Sequence, residues 1–504
     1  MILAPLLWAA CAKHAPTPPV PAGPEFPVTL HLAAINDFHG GLYEMPVKNH
    51  DGVVFGGLPW LVAAMDALRA EHPDLVVLDG GDEFQGSWPV NATQGKGSIE
   101  ALRLVRVDVA AVGNHEFDYG GIEGGHPLRG AIEAGVRDAN WFVSANIENE
   151  DGTPWLPPGL ARWKLVERQG VRIGVIGLST MDTPTTTNPT NVADLRFADV
   201  VEAVNEVLPE VQAADVDVTV LVAHLTGSCQ PKAYETDGDD DCVPDGEIGR
   251  LLTELPEGTF DVMVLGHAHT VLHHRVGKTF LLEDRWAGHL IGRLDLVVGE
   301  DGVDVEQSVL HEPWALSHAP VDPGCEDRPY PTDPIEVGGR MLTPDPLALS
   351  LIDTLEEQAG SLCDELGCAA RTLHRSDPEL GEWMADATLA AFPGADLAIQ
   401  NAGGVRADLP EGTVRRESLQ RVMPFDNRAV LVEMTGAQVR EMFRIGVSGA
   451  HGALLPAGAE VRYDPSKEAG TDRDGDGQVA DWERDRLCEV TVKGAPLDDA
   501  ATYR

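Results

Sequence analysis

One pattern recurs five times between residues 28 and 269. An apolar run ends, and within a few residues come histidine, aspartate or asparagine, with glycine nearby. VTLHLAAI (28–35) leads to Asp37 and His39, and DLVVLD (74–79) leads to Asp82. VDVAAV (107–112) leads to Asn114, His115 and Asp118. VDVTVLVA (216–223) leads to His224, and FDVMVL (260–265) to His267 and His269. Runs this short and this apolar read as core strands, as does VRIGVIGL (171–178). The stretches 58–71 and 198–214 carry helical periodicity, so the region is expected to be a layered α/β domain. Ligands of an open α/β sheet bind beyond the carboxyl ends of its strands. Five strands are therefore expected to bring these side chains to one edge of a sheet, with Gly40, Gly80, Gly81, Gly113 and Gly266 at the sharp turns.

The donor types narrow the chemistry. Imidazole and carboxylate without thiolate suit zinc, manganese, iron or cobalt, and two such ions need a bridging carboxylate. A single fragment of this kind would carry little weight, because lone histidines are mostly surface or satisfied core residues. Five in series point to a dinuclear site. His273 and His274, just past this series, read as ordinary surface or strand residues.

The chain has 504 residues and a net charge of −44, from 37 basic and 81 acidic side chains. Its length favours two domains. Its charge argues against a nucleic acid polymer or an anionic membrane surface as a general partner. A phosphorylated small molecule needs metal ions or local arginines to reverse that field. The start, MILAPLLWAACAKHAPTPPVPAGPEFP (1–27), is apolar, then a cysteine, then a Pro-rich tether. It resembles the end of a bacterial lipoprotein signal, with Cys11 carrying the lipid, and places the protein outside the cytoplasm, periplasmic or on the cell surface. The other six cysteines, Cys229, Cys242, Cys325, Cys363, Cys368 and Cys488, include no CxxC pair and suit disulfides in an oxidising compartment. Cys229 with Cys242, and Cys363 with Cys368, are close enough in sequence to pair.

The fragments NDFHG, GDEFQGS, GNHEFDYG, AHLTG and GHAH resemble the signature of calcineurin-like metallophosphoesterases. NAGGVRADLPEGTVRRESLQRVMPFDN (401–427) is similar to the nucleotide-binding domain of the 5′-nucleotidase and UDP-sugar hydrolase family. The resemblance implies a four-layer metallophosphoesterase β-sandwich flanked by helices over 28–312, with a second α/β substrate-binding domain over 346–504. Residues 313–345, rich in Pro, Gly and Asp, read as the linker, and a helix over 346–366 as the entry to the second domain. One metal ion is implied at Asp37, His39, Asp82 and His269, and the other at Asp82, Asn114, His224 and His267. His115 then faces the phosphoryl group and Asp118 orients it. Glu116 reads as structural. The implied reaction is release of phosphate from a nucleotide, with hydroxide bridging the two metals as the nucleophile.

The family uses Asn401 and Arg406 on the nucleoside and Phe425 as one face of a base clamp, with Asn427 beside it. Arg375 is a further candidate for substrate contact. The sequence stops at DDAATYR, before the family's second clamp aromatic, so this domain is expected to lack part of its clamp. DRDGDGQVADWE (472–483) has calcium-loop spacing, with Asp472, Asp474, Asp476, Gln478 and Glu483 as ligands. DGDDDCVPDGE (237–247) resembles a second calcium loop, of the thrombospondin type. Three relatives of the reading share its motifs: a 2′,3′-cyclic nucleotide phosphodiesterase/3′-nucleotidase, a UDP-sugar hydrolase and a thiosulfohydrolase. A reading from another class is a calcium-dependent surface binding protein on an inactive phosphatase fold, which the complete ligand set argues against.

Overall fold

The computed structural model describes residues 25–46, 52–120, 129–229, 242–319, 333–360, 362–423, 429–449, 453–473 and 478–504. Cys11, Cys325, Phe425, Asn427, Asp474, Asp476 and residues 237–241 of the 237–247 loop lie outside them.

The apolar runs form strands where expected. β1 (Val28–Ile35), β2 (Val76–Asp79), β3 (Val109–Ala111) and β4 (Phe142–Val143) lie side by side and parallel. In a second sheet, β5 (Trp163–Arg168) pairs antiparallel with β6 (Val171–Ser179), and β6, β7 (Val218–His224) and β8 (Val262–Gly266) run parallel. The chain extends this sheet with β9 (Val271–Val276) and β10 (Thr279–Asp284), then returns through β11 (Leu290–Gly299) antiparallel to β1. The sheets have seven and six strands.

Alternation along each strand explains the layering. Leu30, Leu32, Ala34, Val76 and Leu78 of the first sheet pack against Ile173, Val175, Val220, Val222 and Val264 of the second. The intervening Ala33, Ile35, Val77 and Ala110 face outward, under α1 (Leu58–Glu71) and α2 (Lys96–Val105). On the far side α3 (Val200–Ala213) and α4 (Gly246–Glu254) cover Ile176, Leu221, Ala223 and Leu265. Asp199 starts α3 by accepting the N–H groups of Val201 (3.0 Å) and Glu202 (3.1 Å). The result is the four-layer order helix, sheet, sheet, helix. The ligand-bearing strand ends do not line one sheet edge. Three belong to the first sheet and two to the second, and they meet where the sheets open.

The helix expected over 346–366 runs over Pro346–Ala359 (α5), and Gly360, at φ 89°, ends it. Its buried Ala348, Ile352 and Leu355 join the core beneath α1 and α2. The later residues form separate small cores, one around Leu380, Met384 and Val405, another around Phe443, Val490 and Val492.

Cys229 and Cys242 are joined, as expected. Cys363 is disulfide-bonded, but not to Cys368, which is an exposed free thiol like Cys488. Cys368 sits in an extended strand, Glu365–Ala369, paired with Gly412–Arg415. Extended chain of about 3.3 Å per residue carries it out of the reach of Cys363. Among the described residues no helix is long and apolar enough to cross a membrane.

Candidate metal centre

Three of the five strand ends deliver donors through strained backbone. Asp37, His39, Asp82, His267 and His269 have φ between 46° and 94°, a region side-chain-bearing residues seldom occupy. Tertiary bonds hold them there. The Asp37 N–H donates to the Gly81 carbonyl (2.8 Å) and that of His39 to the Asp82 carbonyl (3.0 Å). Glu116 fastens the turns between them. Fully buried, it accepts the N–H groups of Asp82 (3.2 Å), Glu83 (2.6 Å), Phe84 (3.0 Å) and Gly113 (2.6 Å). Its structural reading stands. Gly113 itself leaves no room for a side chain, since a Cβ there would lie 2.1 Å from Asp82 Oδ1.

Two nests of donors result, sharing Asp82. In the first, His39 Nε2 and His269 Nε2 are 3.2 Å apart, with Asp37 Oδ1 3.1 Å from His269. In the second, His224 Nε2 lies 2.9 Å from Asp82 Oδ2, 3.1 Å from Asn114 Oδ1 and 3.1 Å from His267 Nδ1. Asp82 Oδ2 also reaches to 3.7 Å from His39 Nε2, while Oδ1 accepts the His115 N–H at 2.9 Å. Asp37 with His39 and His269, and Asp82 with His224 and His267, are each close enough to hold one ion.

The donor chemistry fits divalent cations. Imidazole nitrogens at these separations converge on common points, as ligands of one ion do. Far ring nitrogens of two of them are tied to backbone carbonyls, His39 Nδ1 to Gln85 (3.0 Å) and His224 Nδ1 to Gly80 (3.1 Å). That fixes which nitrogen faces the centre. Asn114 Nδ2 donates to the Thr186 carbonyl (3.2 Å), turning Oδ1 inward. His269 stacks on Trp286, ring centres 5.3 Å apart. Trp286 gave no signal in the sequence, because nothing local marks it as a neighbour of His269.

Electrostatics follow from burial and pairing. Burial pushes His39 and His267 down to about 4, keeping them neutral. Burial alone would also lower His224, but Asp82 outweighs it and raises it to about 10. Asp37 is held at about 2 and Asp82 well below the carboxylate range, histidine charge overcoming burial in both. His115 stands beside the first nest, its ring centre 5.1 Å from that of His39. Its Nδ1 is 2.6 Å from Asp118 Oδ2, and Asp118 Oδ1 accepts the Thr187 hydroxyl at 2.7 Å. Despite burial, Asp82 and Asp118 raise His115 to about 9. His273 and His274 lie in β9, outside the centre, bonded to the carbonyls of His311 (2.6 Å) and Cys242 (2.8 Å).

In the second part of the chain, Arg375 Nη1 donates to the Arg406 carbonyl (2.9 Å), bringing these two exposed residues together. Asn401 ends the strand Ala398–Asn401. Gln420 Nε2 reaches the Gly86 carbonyl (3.1 Å), beside the Gln85 carbonyl that holds His39. Of the calcium-loop residues, Glu483 is buried and accepts the N–H groups of Arg473 and of Ala480 (the latter at 2.8 Å), while Asp472 and Gln478 are exposed.

Both parts of the chain are similar to known proteins. Residues 30–271 match the family "Calcineurin-like phosphoesterase", and residues 358–504 match "5′-nucleotidase, C-terminal domain". The chain is 28% identical to "Probable 5′-nucleotidase" of Treponema pallidum, over 94% of this chain and 84% of that protein. Its fold is similar to that of a 5′-nucleotidase precursor from Thermus thermophilus. The TM-score is 0.63 at 24% identity, covering 95% of this chain and 88% of the other. A sulfate thiohydrolase from the same organism shares the fold at TM-score 0.59 and 18% identity, covering 97% and 89%. With both halves matched and the metal-ligand groups assembled, the chain belongs to the 5′-nucleotidase family of metal-dependent, calcineurin-like phosphoester hydrolases.

Proposed function

We propose that this protein releases phosphate from nucleotides outside the cytoplasm. The observation that supports it is the double nest sharing Asp82, with His115 beside it. Asp37, His39, Asp82 and His269 would hold one divalent ion, and Asp82, Asn114, His224 and His267 the other. Zinc, manganese, iron or cobalt suits this oxygen and nitrogen set. Two such ions supply positive charge at the phosphoryl oxygens and a water acidic enough to ionise near neutral pH.

The protein's own groups do the rest. Asp118 takes Nδ1 of His115, so the ring offers only Nε2 to the substrate. A protonated ring held this way would donate its Nε2 proton toward a phosphoryl oxygen as charge gathers there. Arg375, Arg406 and Asn401 are assigned to the nucleoside side of the substrate, and Phe425 and Asn427 to its base. A base offers a face to any aromatic ring, so such a clamp tolerates several nucleotides.

The Cys229–Cys242 disulfide supports export to an oxidising compartment, with Cys11 as the lipid attachment point. Calcium is assigned to the 472–483 loop, where buried Glu483 stands at the twelfth position. The sulfate thiohydrolase of like fold keeps a second reading in view, hydrolysis of a thiosulfonate linkage.

A product assay on AMP, UDP-glucose, 2′,3′-cyclic AMP and a cysteine S-thiosulfonate separates these readings. The expected result is metal-dependent phosphate release, fastest from AMP, abolished by chelator and by His115→Ala. Sulfate release, or no product from any substrate by the metal-loaded protein, contradicts the nucleotidase reading.

A further inference from the structure

We propose that Thr187 is a positioning residue for the His115–Asp118 pair, within a segment, 183–191, that holds this pair and Asn114 in one register. The inference rests on the phosphohydrolase reading of the centre. A carboxylate held by one oxygen can swing about its last torsion, and one held by both cannot. Asp118 is held by both, with His115 Nδ1 on Oδ2 (2.6 Å) and the Thr187 hydroxyl on Oδ1 (2.7 Å).

The same stretch of chain makes two more contacts. The Thr186 carbonyl accepts Asn114 Nδ2 (3.2 Å), which aims Asn114 Oδ1 at His224 and His267. Buried Asn191 donates through Nδ2 to the carbonyls of Phe117 (2.7 Å) and Asp118 (3.2 Å). The segment is itself anchored. Thr183 is buried and donates to the Thr180 carbonyl (2.7 Å). Thr180 Oγ1 and the Met181 N–H both donate to Glu247, each at 2.8 Å. Glu247 also accepts from the N–H (2.8 Å) and hydroxyl (2.9 Å) of Thr226, two residues beyond His224. One short run of threonine and asparagine thus fixes the side chain of a metal ligand, the carboxylate behind His115 and the backbone between them.

A hydroxyl at 187 is what this role needs, so serine should serve and valine should not. Turnover of Thr187→Val, Thr187→Ser and Thr185→Ala is measured in the metal-loaded full chain. Among the described residues the exposed Thr185 hydroxyl bonds only to the Asp182 carbonyl (2.9 Å), which makes it the control. Thr187→Val is expected to lose about tenfold or more in kcat, with KM, metal content and Tm unchanged. Thr187→Ser should recover most of the rate.

A second readout needs no turnover. The downfield proton on His115 Nδ1, assigned by its loss in His115→Ala, should broaden in Thr187→Val and stay sharp in Thr187→Ser. A valine variant with wild-type rate and an unchanged resonance overturns the proposal. So does a valine variant that loses rate only in step with metal and Tm. A wild-type protein inert on every phosphoester defeats the phosphohydrolase reading instead, and the resonance then decides the role of Thr187 alone.

Discussion

Oδ2 of Asp82 stands 2.9 Å from Nε2 of His224, both side chains buried. Burial favours a neutral ring, yet Asp82 keeps His224 protonated to about 10 in the metal-free protein. His39 and His267, pushed down to about 4, hold no proton at neutral pH. Metal binding at pH 7.5 must then expel the His224 proton, at least one per chain. Calorimetry in buffers of different ionisation enthalpy should read that release, and apparent affinity should rise with pH below about 10. Binding without proton release contradicts this charge state.

Gly113 predicts a substitution that spoils the centre. An added Cβ would meet Asp82 Oδ1 at 2.1 Å and force the shared carboxylate aside. Gly113→Ala should bind metal weakly, with less than one ion per chain at concentrations that fill the parent. Full metal content by elemental analysis would refute this.

Glu116 is expected to matter for stability first. Truncation to alanine strands four buried N–H groups, each costing about 1–3 kcal/mol. Glu116→Ala should therefore melt far below the parent or fail to fold, while Glu116→Gln, which keeps an acceptor oxygen, falls between. Equal melting temperatures would remove the carboxylate from its structural role.

Away from the centre, Asp295 sets an acid limit on stability. Burial would raise it, but hydrogen bonds from His311 (2.9 Å) and His31 (2.6 Å) outweigh burial and hold it below the usual value. A group lowered by folding contributes fully above its unfolded pKa, about 3.9, and loses that contribution as pH falls through the folded value. The Tm gap between parent and Asp295→Asn should be largest above about pH 4 and close in stronger acid. A gap independent of pH would contradict it.

Much of this centre was legible because strands announce themselves locally. A run such as VDVAAV is apolar but for Asp108, and the polar Asn114, His115 and Asp118 follow at once. α1 likewise spans the expected 58–71, its apolar positions recurring with helical period. Sheet membership was not legible, since Val28 pairs with Val298 across the whole first domain. Thr187 and Trp286 escaped notice for the same reason. Asp118 lies 69 residues from Thr187, and the atom that orients Asn114 is a backbone carbonyl, which sequence does not display. The Cys363–Cys368 pairing failed because closeness in sequence says nothing about an intervening extended strand.

Asp82, on this reading, is shared by two metal ions. A crystal of the protein soaked in manganese, with anomalous data at the manganese edge, tests it directly. Two peaks about 3.5–4 Å apart are expected, one among Asp37, His39 and His269, the other among Asn114, His224 and His267, with Asp82 touching both. A single peak, or two peaks with Asp82 bound to only one, would contradict it.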